Sequence, residues 1–249
     1  MPELHPDLKK LVDFLQDIAR KLIAKKAFFP TGASLEKNGT LILEYIPPAE
    51  NLFETRKLLH GKLVQIARSG KVSAVGLCHS LENPQIGAAI VVSVDHTEVP
   101  PLTLIIPIEV DSAGETKFRG EPMFQQAAYS FFRYVDADEA KRLILGDWKQ
   151  ENPVEGPPGE YTFSADGSFD STSEKGVWIV EKGDFFSMLL EQRKSGTRQR
   201  RIVEMTPSRI LLQEVVSGMV RQEEYRKTSA NIEQPALSSE SKKPWWKIW

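Results

Sequence analysis

The stretch LILGDW, residues 143–148, marks the point at which the pattern of the sequence changes. Before it, segments with a helical spacing of apolar residues alternate with runs rich in β-branched residues. After it, short alternating segments are separated by turn residues, which is the pattern of an all-β domain. We therefore predict two domains, at 1–135 and 143–228, with a short connection at 136–142 and a tail at 229–249.

The composition limits the kinds of protein that this chain can be. Its 249 residues, 41% hydrophobic and 27% charged, suffice for one large core or two ordinary ones. A formal net charge of −2 gives no global field that would gather phosphates, so nucleic acid is not an expected partner. The single cysteine, Cys78, excludes an internal disulfide and a multi-cysteine zinc site. The start MPELHPDLKK lacks a signal-peptide pattern and no run of about 18 apolar residues occurs, which predicts a cytoplasmic protein.

The first domain begins with a helix, a hairpin and a second helix. Apolar residues at i, i+3 and i+4 predict an amphipathic helix over 7–26. The dipeptide Asn38-Gly39 suits a two-residue turn with positive φ and predicts a hairpin. Asn51 followed by Glu54 is a helix start signal, and it predicts a second helix over 51–68.

Three strands and a helical end complete this domain. The strands VSAVGLCHSL, GAAIVVSVDH and PLTLIIPIEV follow one another, and Pro107 lacks the N–H that an inner strand needs, so the third strand or its outer side is predicted at a sheet edge. The segment 118–145 is predicted to form one or two short helices. The order α-β-β-α-β-β-β-α predicts an α+β domain, an antiparallel sheet with packed helices. In element order alone it resembles the profilin-like and roadblock-like topology.

The second domain carries a motif at its first strand. Gly146-x-Trp148 precedes the short strands YTFSADGSF, GVWIV, DFFSMLLEQ, RQRRIVEM, SRILLQEV and MVRQEEYRK. Residues 143–228 thereby resemble a small bacterial lipocalin-like domain. The resemblance implies an up-and-down β-barrel with Trp148 at its base, packed under a late basic residue, Arg226 or otherwise Arg221.

The barrel interior has two interpretations. Closure would remove the two bare edges of an open sheet, and alternation along each strand would select the inward side chains. A packed core is preferred, because small barrels fill their interior with side chains. The alternative is a cavity for a small apolar ligand. The predicted interior residues are Phe163, Phe169, Trp178, Phe186, Met188 and Leu190, of which Phe163, Trp178, Phe186 and Met188 would line a ligand.

Catalytic chemistry is not predicted. The one compact titratable group comprises Cys78-His79, Glu82, Asp95-His96 and Glu98, and it could supply a Cys–His nucleophile or a His79/His96 metal pair. Adjacent strand residues point to opposite faces, so Cys78 and His79 do not cooperate unless the strand is bulged. We prefer a buried thiol with histidines at a strand end, and we predict no catalytic residue, cofactor or metal site.

The densest basic patch lies at Arg198, Arg200 and Arg201. Residues 198 and 200 share one face of a strand and 201 takes the other, so the patch is not one continuous cationic surface. The preferred interpretation is a solvated barrel wall. The alternative is contact with an anion or RNA, which would weaken steeply with salt. The expected acidic partners are Glu191, Glu204, Glu223 and Glu224.

The tail SKKPWWKIW, residues 241–249, holds three of the five tryptophans beyond a polar segment that predicts disorder. Three surfaces could receive it: a groove on a partner protein, an anionic membrane, or an apolar patch of its own chain. The predicted docking residues are Lys242, Lys243, Trp245, Trp246, Lys247 and Trp249.

Two functions from different classes follow from these patterns. In the first, the protein is a noncatalytic adaptor or binding module whose tail docks on a protein partner. In the second, the barrel carries a small apolar ligand and the tail places the protein peripherally at an anionic membrane. A weaker alternative is a bacterial immunity or chaperone-like protein. The short connection without glycine or proline predicts that the two domains lie close together.

Overall fold

The structure is a computed structural model that describes residues 4–24, 28–83, 87–110, 116–127, 130–151, 153, 157–216 and 219–228. Its N-terminal part is an α+β domain, and its C-terminal part is a closed antiparallel β-barrel. This confirms the predicted fold class. No helix within the described ranges is long and apolar enough to cross a membrane. The tail lies outside them.

The first seven elements follow the predicted order. The hairpin turn contains Gly39 with a φ of 87°, a conformation that favours glycine. The Asn51 side chain accepts a hydrogen bond from the Glu54 backbone N–H at 2.9 Å and caps the second helix, as predicted. The elements are α1 (Pro6–Ala24), β1 (Thr31–Glu36), β2 (Leu41–Glu44), α2 (Leu52–Arg68), β3 (Val72–Asn83), β4 (Gly87–His96) and β5 (Leu102–Val110).

The sheet separates two apolar layers. Its strands run β2-β1-β3-β4-β5 with antiparallel pairing, so β2 lies at one end. Even-numbered residues of β3, such as Ala74 and Cys78, pack with α1. Odd-numbered residues such as Val75 and Leu77 pack with α2 and Phe131. Alternation along β3 therefore gives each helix its own face of the sheet.

The end of this domain differs from the prediction. A short strand, β6 (Thr116–Phe118), ends where the segment expected to be helical begins, and that segment contains the strand β7 (Met123–Gln126) before the helix α3 (Ala137–Leu143). Both strands pair with the outer side of β5, which is therefore not a free edge. They satisfy the backbone groups that β5 would otherwise leave unpaired. The two pairings are interrupted near Pro107, whose carbonyl accepts a hydrogen bond from the Arg119 backbone N–H at 2.8 Å.

The C-terminal strands form an up-and-down meander that closes on itself, as predicted. Each strand pairs with the next, and β8 closes the barrel by pairing with both β9 and β15. The strands are β8 (Gly146–Glu151), β9 (Glu160–Phe163), β10 (Ser168–Ser171), β11 (Lys175–Lys182), β12 (Ser187–Arg193), β13 (Gly196–Met205), β14 (Arg209–Val216) and β15 (Met219–Lys227).

Helix α3 covers one end of the barrel. Ala140 and Ile144 are fully buried and belong to the same apolar cluster as Trp148. The Trp148 indole N–H donates to the Ile144 carbonyl at 2.6 Å, and the Ser187 hydroxyl donates to the Val135 carbonyl at 2.8 Å. The segment that links the two domains is thus part of the barrel core.

The two domains are in contact, as the short connection predicted. Phe185, in the turn between β11 and β12, is buried against α2. Its ring lies 4.1 Å from the guanidinium carbon of Arg56 and 5.2 Å from the His60 ring. A salt bridge of 2.9 Å between Lys57 and Asp184 flanks this contact.

Candidate functional site

The barrel interior is filled by side chains. Near α3 it is apolar, and the void there measures about 10 Å³, about the space that one water needs. Trp178 is 8% exposed and donates from its indole N–H to the Ser164 carbonyl at 3.1 Å. This geometry agrees with the preferred packed core. Most residues around the void are apolar, among them Trp148, Phe163, Leu189, Ile210 and Leu212, while Arg200, Tyr161 and Tyr225 border it on the side away from α3.

Strand β12 has the opposite orientation to the one predicted. Ser187, Leu189 and Glu191 are fully buried and face inward. Met188 and Leu190 are half-buried, and their alternation places them on the outer side. Phe186 also lies outside, with its ring 4.6 Å from the guanidinium carbon of Arg201. Phe186, Met188 and Leu190 are therefore not interior residues.

The base of the barrel has the predicted tryptophan but a different cation. Trp148 is 1% exposed, and the Lys227 ammonium lies 5.2 Å from its ring. Strand pairing places Lys227 opposite Trp148, whereas Arg226 lies opposite Lys149 and takes the outer face. Arg226 is mostly exposed, 3.9 Å from a carboxylate oxygen of Glu151.

The opposite half of the interior holds buried charges, a set that we call the barrel ionic cluster. Arg200 is 1% exposed and donates to Glu223 at 3.0 Å and to the Tyr225 hydroxyl at 3.1 Å. It also forms an ion pair with the fully buried Glu191. The prediction of a solvated wall is therefore wrong for Arg198 and Arg200. The cluster consists of Tyr161, Glu191, Arg193, Arg198, Arg200, Glu214, Glu223 and Tyr225.

Mutual compensation dominates the electrostatics of this cluster. Burial opposes ionisation of the Glu223 carboxyl, but Arg198 and Arg200 outweigh it and lower the pKa of Glu223. For the Tyr225 hydroxyl, by contrast, burial is the dominant effect, and it raises the pKa. Arg198 is bonded to Glu214 at 2.6 Å and to Glu223 at 2.9 Å. Pairing of buried cations with buried carboxylates is typical of a structural network.

The titratable group around β3 and β4 does not assemble as a reactive site. Burial raises the pKa of the Cys78 thiol, which keeps it from forming the nucleophilic thiolate. His79 is opposite Val91, five residues or about 17 Å along β4 from His96. The two histidines also face opposite sides of the sheet, so they cannot share a metal ion.

A different cluster brings together His5, Asp7 and His96, whose candidate ligand atoms lie within 4.8 Å of one another. The Asp7 carboxylate accepts a hydrogen bond from the Ser73 hydroxyl at 2.8 Å and lies 3.4 Å from Nε2 of His96. The sequence could not reveal this cluster, because residues 5 and 96 meet only through the packing of α1.

Hydrogen bonds within this cluster argue against a metal ion. Nδ1 of His5 accepts the Asp7 backbone N–H at 3.3 Å, and Nδ1 of His96 accepts the Glu98 backbone N–H at 3.0 Å. A neutral imidazole whose Nδ1 accepts carries its proton on Nε2, the atom that would have to bind a metal ion beside Asp7. The cluster instead attaches the start of α1 to the sheet.

Exposed apolar side chains lie on both faces of strand β2, which ends the described sheet, and on the neighbouring part of α2; we call this set the edge apolar surface. The Lys62 ammonium bonds to Glu44 at 3.0 Å and to the Tyr45 carbonyl at 3.0 Å, which attaches α2 to β2. Leu58 lies one helical turn before Lys62 and shares this side of α2. The surface comprises Ile42, Leu43, Tyr45, Leu52, Phe53 and Leu58, which are 37–56% exposed.

A cleft of about 410 Å³ lies between the domains, and we call it the interdomain cleft. One wall comes from the first domain, through Pro100, Pro101, Ser130 and Arg133. The other wall is the outer face of three barrel strands. Its residues are Val203, Glu204, Arg209, Leu211, Gln222 and Glu224.

No model of a known protein family matches the chain, and no curated protein matches it either. The closed antiparallel barrel and the separate α+β domain are structural findings. Membership of a lipocalin-like family stays a hypothesis, as does the likeness of the first domain to profilin-like or roadblock-like proteins. The predicted docking residues of the tail, from Lys242 to Trp249, lie outside the described residues.

Proposed function

We propose that the protein is a noncatalytic binding module that docks on a protein partner through the edge apolar surface. The observation that supports this proposal is the exposure of six large apolar side chains at the end of the sheet. Several large apolar side chains exposed near one another are a feature of protein interaction sites. Strand β2 reads LILE, without the proline or lysine that commonly protects an exposed edge. A partner strand or helix would cover this surface.

The tail provides a second contact in this proposal. Tryptophan side chains are frequent energetic anchors at protein interfaces, and three lie between residues 245 and 249. A tail alone would bind weakly because ordering it costs free energy. Linked to the edge apolar surface, it raises the affinity through effective concentration.

The packed barrel weakens the alternative of an apolar-ligand carrier. A void of about 10 Å³ holds no apolar ligand unless interior side chains move. Native mass spectrometry of the purified chain tests this directly. A retained small apolar mass would favour the carrier over the binding module.

The main test is affinity capture from the source cells with the wild type, two substituted full-length chains and one truncated chain. Leu43→Glu with Leu58→Glu adds charges to the edge apolar surface. Val177→Glu with Ile179→Glu is the matched control, because both residues are exposed on the outer face of β11. A third chain ends at Ser241.

The proposal expects one partner to be recovered with the wild type and with the control at equal yield. The edge variant should lose it, and the truncated chain should recover less. Equal recovery with the edge variant, or recovery of lipid vesicles in place of a protein, would contradict the proposal. Circular dichroism of each variant confirms that it is folded.

A further inference from the structure

We propose that the interdomain cleft binds a small carboxylate with an apolar body, such as an N-acylated apolar amino acid. The cleft is separate from the edge apolar surface and shares no residue with it. Ligand sites occur preferentially between domains, and about 410 Å³ is within the size range of small-molecule pockets. The walls contain both the donors and the apolar contacts that this ligand requires.

Arg133 supplies a guanidinium group whose two terminal nitrogens can donate hydrogen bonds to a ligand. Its Nε lies 3.7 Å from a carboxylate oxygen of Glu204, which is too long for a hydrogen bond. Among the described residues no acceptor is within hydrogen-bond reach of its two terminal nitrogens. These form the fork that binds a carboxylate through two parallel hydrogen bonds.

Gln222 supplies a second donor. Gln222 lines the cleft, but its Nε2 is buried and finds no hydrogen-bond acceptor among the described residues, so the side chain would rotate to present this atom to a ligand. A buried amide N–H without an acceptor is costly, so an acceptor that a ligand brings to Gln222 would be stabilising. A carboxylate has four acceptor positions and can serve the amide and a guanidinium together.

The two carboxylates of the cleft are already paired with arginine side chains. Arg209 donates to Glu224 at 2.7 and 3.2 Å and to Glu204 at 2.9 Å. It lowers the pKa of Glu224 through these hydrogen bonds, which keeps that carboxylate ionised and engaged. Because both carboxylates are bound by Arg209, the free donors set the preference of the cleft.

The apolar contacts come from both walls. Pro100 and Pro101 face Val203 and Leu211 across the cleft. A β-bulge after Ile202 shifts the register of β13, and it allows the consecutive residues Val203 and Glu204 both to line the cleft. A ligand with an apolar side chain would contact these four residues.

Hydrogen bonds around a buried carboxylate hold the Arg133 wall in place before any ligand binds. Asp95 is fully buried and accepts from the Ser130 hydroxyl at 2.6 Å and from the Phe131 and Phe132 backbone N–H groups at 2.8 and 3.0 Å. The Ser130 hydroxyl in turn accepts the Arg133 backbone N–H at 2.9 Å. Such preorganisation reduces the ordering cost of binding.

The test is an NMR titration of the ¹⁵N-labelled full chain with three probes. N-acetyl-leucine carries both the carboxylate and the apolar body, N-acetyl-leucine amide lacks the carboxylate, and acetate lacks the apolar body. The resonances followed are the side-chain amide of Gln222 and the Nε–H of Arg133. We expect saturable shifts at both with N-acetyl-leucine, and affinities lower by about tenfold or more for the other two probes.

Variants separate this site from nonspecific binding. Arg133→Gln should weaken N-acetyl-leucine binding by about tenfold, and Gln222→Met by a smaller factor of about three to five. Arg119→Gln is the control, since Arg119 is 73% exposed beside Glu109 and lies outside the cleft. Equal binding of all three probes, unchanged affinity in Arg133→Gln, or no saturation up to about 10 mM would overturn the proposal. None of these outcomes depends on partner binding at the edge apolar surface.

Discussion

Replacing Trp148 with alanine should unfold or severely weaken the barrel. The side chain is 1% exposed and contacts the apolar layer beneath α3. Truncation of a buried tryptophan to alanine costs about 3–5 kcal/mol. It also removes the donor to the Ile144 carbonyl, which the structure places at 2.6 Å. Such a loss is comparable to the whole stability of many domains, which is about 5–15 kcal/mol.

The distribution of tryptophans allows an assay that follows the barrel separately. All five tryptophans lie in the C-terminal part of the chain, two in the barrel and three in the tail. With the tail tryptophans changed to phenylalanine, the emission of the remaining tryptophans, Trp148 and Trp178 in the reference chain and Trp178 alone in the variant, reports on the barrel in a urea titration. Circular dichroism at 222 nm reports mainly on α1 and α2. For a slope of about 2 kcal/mol per molar urea, Trp148→Ala should lower the barrel midpoint by about 2 M.

Trp148→Phe is the graded control, and it should cost about 1–2 kcal/mol because the apolar ring stays while the hydrogen bond is lost. Val177→Ala, at an exposed site of the same barrel, should change stability by less than about 0.5 kcal/mol. An unchanged midpoint for Trp148→Ala would refute its buried position at the base. A midpoint that falls equally for both signals would contradict independent unfolding of the two predicted domains.

Three further perturbations have defined outcomes. Lys227→Ala should lower the free energy of unfolding by about 0.5–1 kcal/mol, because it removes the contact of the ammonium group with Trp148. Arg226→Ala, at an exposed site, should change the free energy of unfolding by less than about 0.5 kcal/mol. A larger effect of Arg226→Ala than of Lys227→Ala in urea titrations would contradict the observed register. Burial and the nearby Arg56 charge lower the pKa of His60 from 6.5 to about 4, so the unfolded chain binds the proton first. The stability that His60 contributes is complete above pH 6.5 and should fall by up to about 3 kcal/mol as the pH drops to 4, and buried His79, whose pKa is also lowered to about 4, should add its own loss over this range. Unfolding measured across this range should show a smaller loss in His60→Phe, and an equal loss would exclude this histidine as the cause. Gly76→Ala should lower the free energy of unfolding by about 1–3 kcal/mol, because the new Cβ would lie 2.7 Å from a leucine of α1. Gly61→Ala, with open space around its Cβ, should raise the melting temperature slightly. Equal effects of the two substitutions would refute the close approach of α1 to the sheet.

Local patterns in the sequence determined most of the architecture. The period of apolar residues, the Asn51 cap and the Asn38-Gly39 turn depend only on neighbours in the chain, and each of these signals predicted its element correctly. Closure of the barrel was also predictable, because short alternating strands leave costly edges unless they close. The burial of Trp148 was expected from the resemblance that its Gly-x-Trp motif carries, and the structure places this side chain at 1% exposure.

Side-chain orientation depended on partners distant in the sequence. Strand β12 was predicted with apolar residues inward, but Glu191 faces the interior because Arg200, on the neighbouring strand, compensates its charge there. Which late cation lies over Trp148 depended on a register between β8 and β15, which are about 75 residues apart. Residues 123–126 were likewise predicted to be helical from their local sequence, but they form a strand because they pair with β5.

The candidate sites were therefore decided by tertiary structure. The edge apolar surface exists because β2 ends the sheet, and the sequence of α2 and β2 is compatible with burial or exposure alike. The interdomain cleft forms from a loop, a linking segment and three strands that no local pattern relates. The spacing of apolar residues that defines each helix or strand can be read from the sequence. Which charged and apolar side chains from distant elements come into contact is decided only when those elements pack.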